Sequence, residues 1–281
     1  MAERKKLPVF ATVGEAFSGA WTHFGDLIRI AWLPVLLYIA ISAIYQIYFL
    51  PMAMVEPENM EEVMRQMENM SAHGALPIIL VIASLLLYPM IAVAWHRFVL
   101  LGERPNGAVL RFGRRELTFV GAILAIYLLP LVPVRLVAML GMVVWQPLGA
   151  ALLIVGYIFV ILWWMRMSLL LPSAAVDRGL ALRDVWEMTR GNFWRIFAVI
   201  FLASLLTALL MWAIAFALFL AISLSAGNLA SEPYSAGTIL FSVVMGAVTG
   251  TFILIVNVAV LSIAYRELSG WGEAKPAESS A

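Results

Sequence analysis

The side chains that most often perform chemistry are scarce in this chain. Cysteine is absent, which excludes thiol nucleophiles, Cys-based zinc sites, iron–sulfur clusters and disulfides. The three histidines, His23, His73 and His96, are far apart in sequence and form no HExxH-type pair. No GxxxxGK[ST] or GxGxxG run cradles nucleotide phosphates, so no cofactor is expected. Two groupings remain. The first is Met60, Met64, Met67, Met70 and His73, spaced so that all five share one face of a helix. Thioethers are soft ligands that suit Cu(I), which makes the stripe a candidate metal site. The same stripe is what an amphipathic helix rests on a bilayer or a bundle.

The second grouping is Met165 to Ile196, which places Arg166, Asp177, Arg178, Arg190, Asn192 and Arg195 within about thirty residues. A guanidinium inside an apolar run is costly unless it is paired or reaches the interface, and Asp177 is the expected partner of Arg166. Pro172 is expected to break the helix and return the chain along the surface. Asp184 and Glu187, three apart, share a helix face. Gly191 and Asn192 follow Arg190 and can end a short helix and open the next. Trp186, Phe193 and Trp194 suit the headgroup layer. The stretch reads either as an interfacial helix touching phosphates generally, or as a pocket for an anionic lipid headgroup.

The elements that must position these residues are membrane spans. The chain has 281 residues, of which 63% are hydrophobic and 12% charged, with net charge +1 and mean hydropathy +0.96. A soluble domain has about twice that charge fraction. This composition excludes a cytosolic globular enzyme, a secreted disulfide scaffold and a nucleic-acid binder. Six apolar segments are long enough to cross ~30 Å of hydrocarbon: Ile30–Leu50, Ala75–Trp95, Leu117–Val134, Leu148–Met165, Ile196–Ala226 and Ala236–Tyr265. The fifth and sixth must tilt or project beyond the bilayer. Pro130 and Pro133 are expected to kink the third. Residues 136–146 stay apolar, either continuing the third span or lying in the interface. The fold predicted is an all-α integral membrane bundle of six transmembrane helices over residues 1–268, followed by a disordered cytoplasmic tail, 269–281.

Of eighteen basic residues, only Arg65 and Arg135 fall on the side opposite the termini. The positive-inside rule then puts both termini in the cytoplasm, as for a multi-pass protein of the bacterial inner membrane. Each odd-numbered span follows a partly charged opening with an aromatic pair seven apart: Phe17/Phe24, Phe112/Phe119 and Trp186/Phe193. Each even-numbered span ends near Arg97, Arg166 or Arg266. The pattern suggests three helical hairpins, each preceded by an amphipathic cytoplasmic helix. Gly246 and Gly250 form a GxxxG expected to pack helices closely, and Asn257 is expected to make one interhelical hydrogen bond. No acidic residue falls inside any span, which disfavours a proton-coupled transporter, and no His stands beside a mid-span nucleophile.

The runs R-x-S-L-x-L-P-x-x-x-V-D (Arg166–Asp177) and W-x-x-T-R-G-N-x-W-R-I (Trp186–Ile196) resemble a group of bacterial multi-span inner-membrane proteins of uncharacterised function. These are similar in turn to the membrane domain attached to some glycerophosphodiester phosphodiesterases. The closing Ala264–Leu268 also fits. The resemblance implies a six-span helical domain with a lipid-related or supporting role. It carries no catalytic residue, and the soluble phosphodiesterase barrel is missing. The function expected is non-enzymatic: binding or organising anionic lipid, or supporting a membrane partner or a second copy, through an arginine and aromatic surface. The alternatives are a transporter of a hydrophobic or amphipathic compound, which requires an open cavity between hairpins, and Cu(I) handling at the outer face.

Overall fold

An apolar chain in hydrocarbon must satisfy its own backbone polar groups, and the helix does so within one segment. The computed structural model describes residues 5–49, 61, 64, 65, 68, 75–104, 110, 112–179, 182–226 and 236–270, and they are helical almost throughout, with no strand among them. The helices are α1 (Val9–Thr22), α2 (Phe24–Phe49), α3 (Ala75–Leu101), α4 (Arg114–Val144), α5 (Gln146–Met167), α6 (Leu170–Ala175), α7 (Leu182–Thr189), α8 (Phe193–Ala226) and α9 (Ala236–Ser269). Six of them, α2, α3, α4, α5, α8 and α9, are long and apolar enough to cross a membrane. The chain is a multi-pass, all-α membrane protein.

The helices outrun the apolar segments. α2 starts at Phe24 and takes in Asp26 and Arg29; α3 runs on past Trp95 to include Arg97; α4 opens on Arg114 and Arg115. A helix does not stop where hydrocarbon stops, so charged side chains at its ends stand at headgroup depth. Residues 136–144 continue α4, which stays helical through Pro130 and Pro133 and is 31 residues long. At 1.5 Å per residue that is about 46 Å, more than the hydrocarbon thickness. Trp145 alone separates α4 from α5, in extended conformation (φ −164°, ψ 119°). So short a turn forces the two helices together. A Cβ on Gly141 would come within 2.7 Å of Leu152, and one on Gly149 within 2.7 Å of the Met142 backbone. Gly156 is closed in the same way by Val134.

Consecutive spans pack as hairpins, α2 with α3, α4 with α5, and α8 with α9. α9 lies at the centre and also touches α1, α2, α3, α6 and α7. The α4–α5 hairpin joins the rest through α3, α6, α7 and α8, and its outer half, including Leu136, Met139, Val143 and Ile154, is exposed to the surroundings. The first and last described segments share one end of the bundle. Lys5 pairs with Glu267 at 3.1 Å, and Arg266 donates to both carboxylate oxygens of Glu15 at 2.8 and 2.9 Å.

The repeat holds at the level of hairpins and fades at the level of side chains. α1 and α7 precede the first and fifth spans, but the described residues of the middle opening, 102–104, 110, 112 and 113, are not helical. Phe119 is buried whereas Phe112 and Phe24 are exposed. Pro172 also acts differently from the expectation. α6 does not run along the surface: all six of its residues are buried. The segment Met165–Val176 turns into the bundle because its residues are apolar or small, and its two serines satisfy themselves, Ser168 on the Met165 carbonyl and Ser173 on the Arg178 carbonyl.

Candidate functional site

At the end of the bundle that carries both termini, the six residues of the expected headgroup pocket separate into four places. Arg166 does not pair with Asp177. Its guanidinium stacks 4.0 Å from the Trp186 ring centre and 5.8 Å from that of Phe193. The seven-residue aromatic spacing thus serves as a cradle for a cation, which is how a half-buried arginine is held without a carboxylate. Asn192 and Arg195 hold the N-terminal segment. Asn192 Oδ1 accepts from Leu7 N at 3.0 Å, Asn192 Nδ2 donates to the Lys5 carbonyl at 3.1 Å, and Arg195 Nη1 donates to the Leu7 carbonyl at 2.9 Å. Arg190 is exposed, and Gly191 (φ +87°) turns the chain between α7 and α8.

Asp177 belongs to a different cluster, centred on Arg97. The Arg97 side chain is only 11% exposed. It donates to Glu103 through Nε at 2.8 Å and Nη2 at 2.6 Å, and through Nη1 to the Ala175 carbonyl at 3.0 Å and to Asp177 Oδ2 at 3.1 Å. Arg115 Nε reaches the same Oδ2 at 2.9 Å. Glu103 can come back to Arg97 because Gly102 (φ +67°) reverses the chain just after α3. The hydrogen bonds and charge of Arg97 hold the Glu103 carboxyl below the ordinary carboxylate range, against a smaller opposing effect of desolvation.

Asp177 stands at φ +60°, the only described residue other than glycine with positive φ. It occupies the position after α6 where a glycine usually ends a helix. Arg178 N bonds back to the Ser173 carbonyl at 3.1 Å and Asp177 N to the Ala174 carbonyl at 3.4 Å, the pairing of a Schellman cap. Aspartate costs more than glycine there. Its carboxylate is what glycine would lack, and it ties α6 to α3 and α4.

Beside this cluster lies a cleft of about 620 Å³. Arg114, Arg115 and Arg178 line it together with Asp177, and Ala122, Leu170 and Ala174 give it an apolar floor. Of the sequence candidates, Asp177 and Arg178 are brought to this cleft; Arg114 and Arg115 join them without having been singled out, and Arg97 is linked to it through Asp177. Their one signal is position, as arginines at the ends of apolar runs, and it does not reveal partners 62 to 80 residues away.

Away from this end, Asn257 makes its interhelical bond, accepting from Ser204 Oγ at 3.1 Å. Gly246 and Gly250 are not a packing seam within the chain. A Cβ on either would meet nothing within 4 Å, and both line a second, larger cavity between the hairpins. Among the methionine stripe, Met64 is exposed; Met60, Met67, Met70 and His73 lie outside the described residues, as does the tail from 271. No cluster of three His, Asp or Glu suited to a metal ion occurs among the described residues.

No family model, curated protein or solved structure matches the chain. The resemblance stands on Arg166–Asp177, Trp186–Ile196 and Ala264–Leu268 alone.

Proposed function

We propose that this membrane protein is non-enzymatic and binds an anionic lipid headgroup in the cleft lined by Arg114, Arg115 and Arg178. The observation that carries the reading is the pairing of three guanidinium groups with an apolar floor in one cleft at the arginine-rich end of the bundle. Such a cleft offers charge-assisted hydrogen bonds to a phosphate and an apolar wall to the first carbons of its chains. The bias of lysine and arginine supports a cytoplasmic position for this end, at a bacterial inner membrane. A lipid-related role is also what the motif resemblance implies. Exposed Phe10, Trp21 and Trp194 around the same end supply aromatic contacts to the headgroup layer.

Native mass spectrometry on protein released gently from its membrane tests this. The wild type should retain one anionic phospholipid. The Arg114→Ala/Arg178→Ala double variant should lose it, and Arg166→Ala should keep it, because Arg166 is committed to Trp186 and Phe193. Equal retention by wild type and double variant, or a bare protein throughout, removes the reading. A second reading, transport of a hydrophobic or amphipathic compound, is favoured by the cavity between the hairpins, about 780 Å³ in volume.

A further inference from the structure

The larger cavity is a different site from the arginine cleft, and its occupancy stands or falls independently of headgroup binding or transport. Among the described residues, α2, α3, α4, α5, α6, α8 and α9 contribute to its wall. On α9 the lining runs from Gly246 to Leu261, about 22 Å of helix, so the cavity follows the span through its middle. Its size is that of an ordinary small-molecule site. Two features keep it open. Gly246 and Gly250 present no side chain to it. The α4–α5 hairpin contributes only residues from its half nearer the termini, Val120 to Tyr127 and Trp164, and leaves the outer half apart. Tyr38, Tyr88 and Tyr127 of the lining are each exposed, so the cavity has a mouth. That mouth lies along membrane-spanning helices, and what enters comes from the lipid phase.

The wall is apolar apart from a few groups, and most of those are satisfied. Ser204 bonds Asn257, Asn257 Nδ2 donates to the Ile253 carbonyl at 2.8 Å, and Thr251 donates to the Ala247 carbonyl at 2.7 Å. His96 is the exception. It is fully buried at the end of the cavity nearer the termini, where its Nδ1 lies 2.7 Å from Ser262 Oγ. Ser262 Oγ itself donates to the Val258 carbonyl at 2.8 Å, so its proton is committed. Nδ1 must then carry the ring hydrogen, and in the neutral imidazole Nε2 is left as an acceptor. That nitrogen is the one buried side-chain polar atom of the lining with no partner among the described residues. A buried acceptor left unpaired is costly, and a donor that reaches it removes the cost.

We propose that this cavity is a binding site for a lipid-phase compound with an elongated apolar body and one terminal hydrogen-bond donor, a hydroxyl being the simplest, which His96 Nε2 accepts. The acyl chain of an ordinary phospholipid would fill the volume but leave Nε2 unmatched. Ligand class is therefore set by the histidine and capacity by the two glycines.

The test uses the full chain in phosphatidylcholine nanodiscs and a long-chain primary alcohol carrying a mid-chain diazirine. After photolysis, mass spectrometry maps the labelled residues. Labelling is expected at lining positions such as Leu85, Tyr127 and Thr251. The unlabelled alcohol should compete about fivefold better than its methyl ether, which cannot donate. His96→Phe should erase that preference while leaving labelling by the apolar body. Gly250→Leu, whose side chain enters open space, should suppress labelling altogether with the fold retained. Labels scattered over the exposed outer faces of α5 and α8 would overturn the site. Equal competition by alcohol, ether and parent alkane in the wild type would overturn the donor and mean that an acyl chain is the occupant. The wild-type comparison and Gly250→Leu decide the matter even if His96→Phe fails to fold.

Discussion

At the scale of single residues, three arginines that end even-numbered spans solve one problem in three ways. Arg97 takes two carboxylates and a helix-end carbonyl, Arg166 takes two aromatic faces, and Arg266 takes the exposed Glu15. These solutions differ in strength. Removing Arg97 leaves the buried Ala175 carbonyl at the end of α6 without its donor and takes a charged partner from Glu103 and Asp177. Both carboxylates are half exposed and Asp177 keeps Arg115, so the loss is about 2–3 kcal/mol. Removing Arg166 forfeits a cation–π contact of about 1–2 kcal/mol. Equilibrium unfolding in mixed micelles should therefore rank Arg97→Ala below Arg166→Ala in stability; equal losses would mean that the Arg97 cluster is mere surface charge. The same cluster sets an acid limit. The Glu103 carboxyl is held below its ordinary value, so its contribution is complete at neutral pH. It begins to fall as pH drops below the unfolded value of about 4.3 and is gone below the folded one. Arg97→Ala should remove that acid-dependent loss. The sequence marks the arginines as interfacial. It does not choose their partners, because Arg97 and Asp177 are 80 residues apart and meet only once α6 has folded inward.

At the scale of elements, the number and type of spans are legible in the apolar runs, since length and hydropathy alone decide whether a helix can cross. Boundaries are less so: Arg114 and Asp26 look like loop residues but lie within the helix at its interfacial end. Glycine shows the limit most sharply. Gly246 and Gly250 carry the spacing associated with close helix approach, yet spacing says nothing about whether a partner lies opposite. The glycines that helices do close upon, Gly141, Gly149 and Gly156, face each other and Val134 across a one-residue turn and form no GxxxG. The two sets should respond oppositely to a methyl group. Gly149→Ala drives Cβ into the Met142 backbone, and overpacking of this kind costs about 1–3 kcal/mol. Gly250→Ala meets open space and gains helix propensity, so it should be neutral or stabilising by about 0.5 kcal/mol. Thermal unfolding of both variants in the same detergent measures the contrast, and a Gly250→Ala loss matching that of Gly149→Ala would place a partner surface where the cavity stands.

At the scale of the whole molecule, contacts between distant parts of the chain fix which ends lie together. Leu7 is held by Asn192 and Arg195, Lys5 by Glu267, and Glu15 by Arg266, across separations of up to 262 residues. With six spans and both termini tied to one end, the α7 region and the α4–α5 turn must lie on opposite sides of the membrane. The absence of native cysteine makes this measurable without a background. Single cysteines at Arg183, on the exposed face of α7, and at Val144, at the exposed tip of the hairpin, should react with a membrane-impermeant maleimide from opposite sides. On the orientation proposed from the lysine and arginine bias, Arg183→Cys should label only in inverted vesicles and Val144→Cys only in right-side-out ones. Labelling of both from one side would mean that α4 and α5 do not cross, and the cavity bounded by that hairpin would lose its wall. The reverse pattern would keep the bundle but turn the arginine cleft outward. Headgroup binding would then have to draw on the outer leaflet, where the attraction of a basic cleft to anionic lipid is weaker.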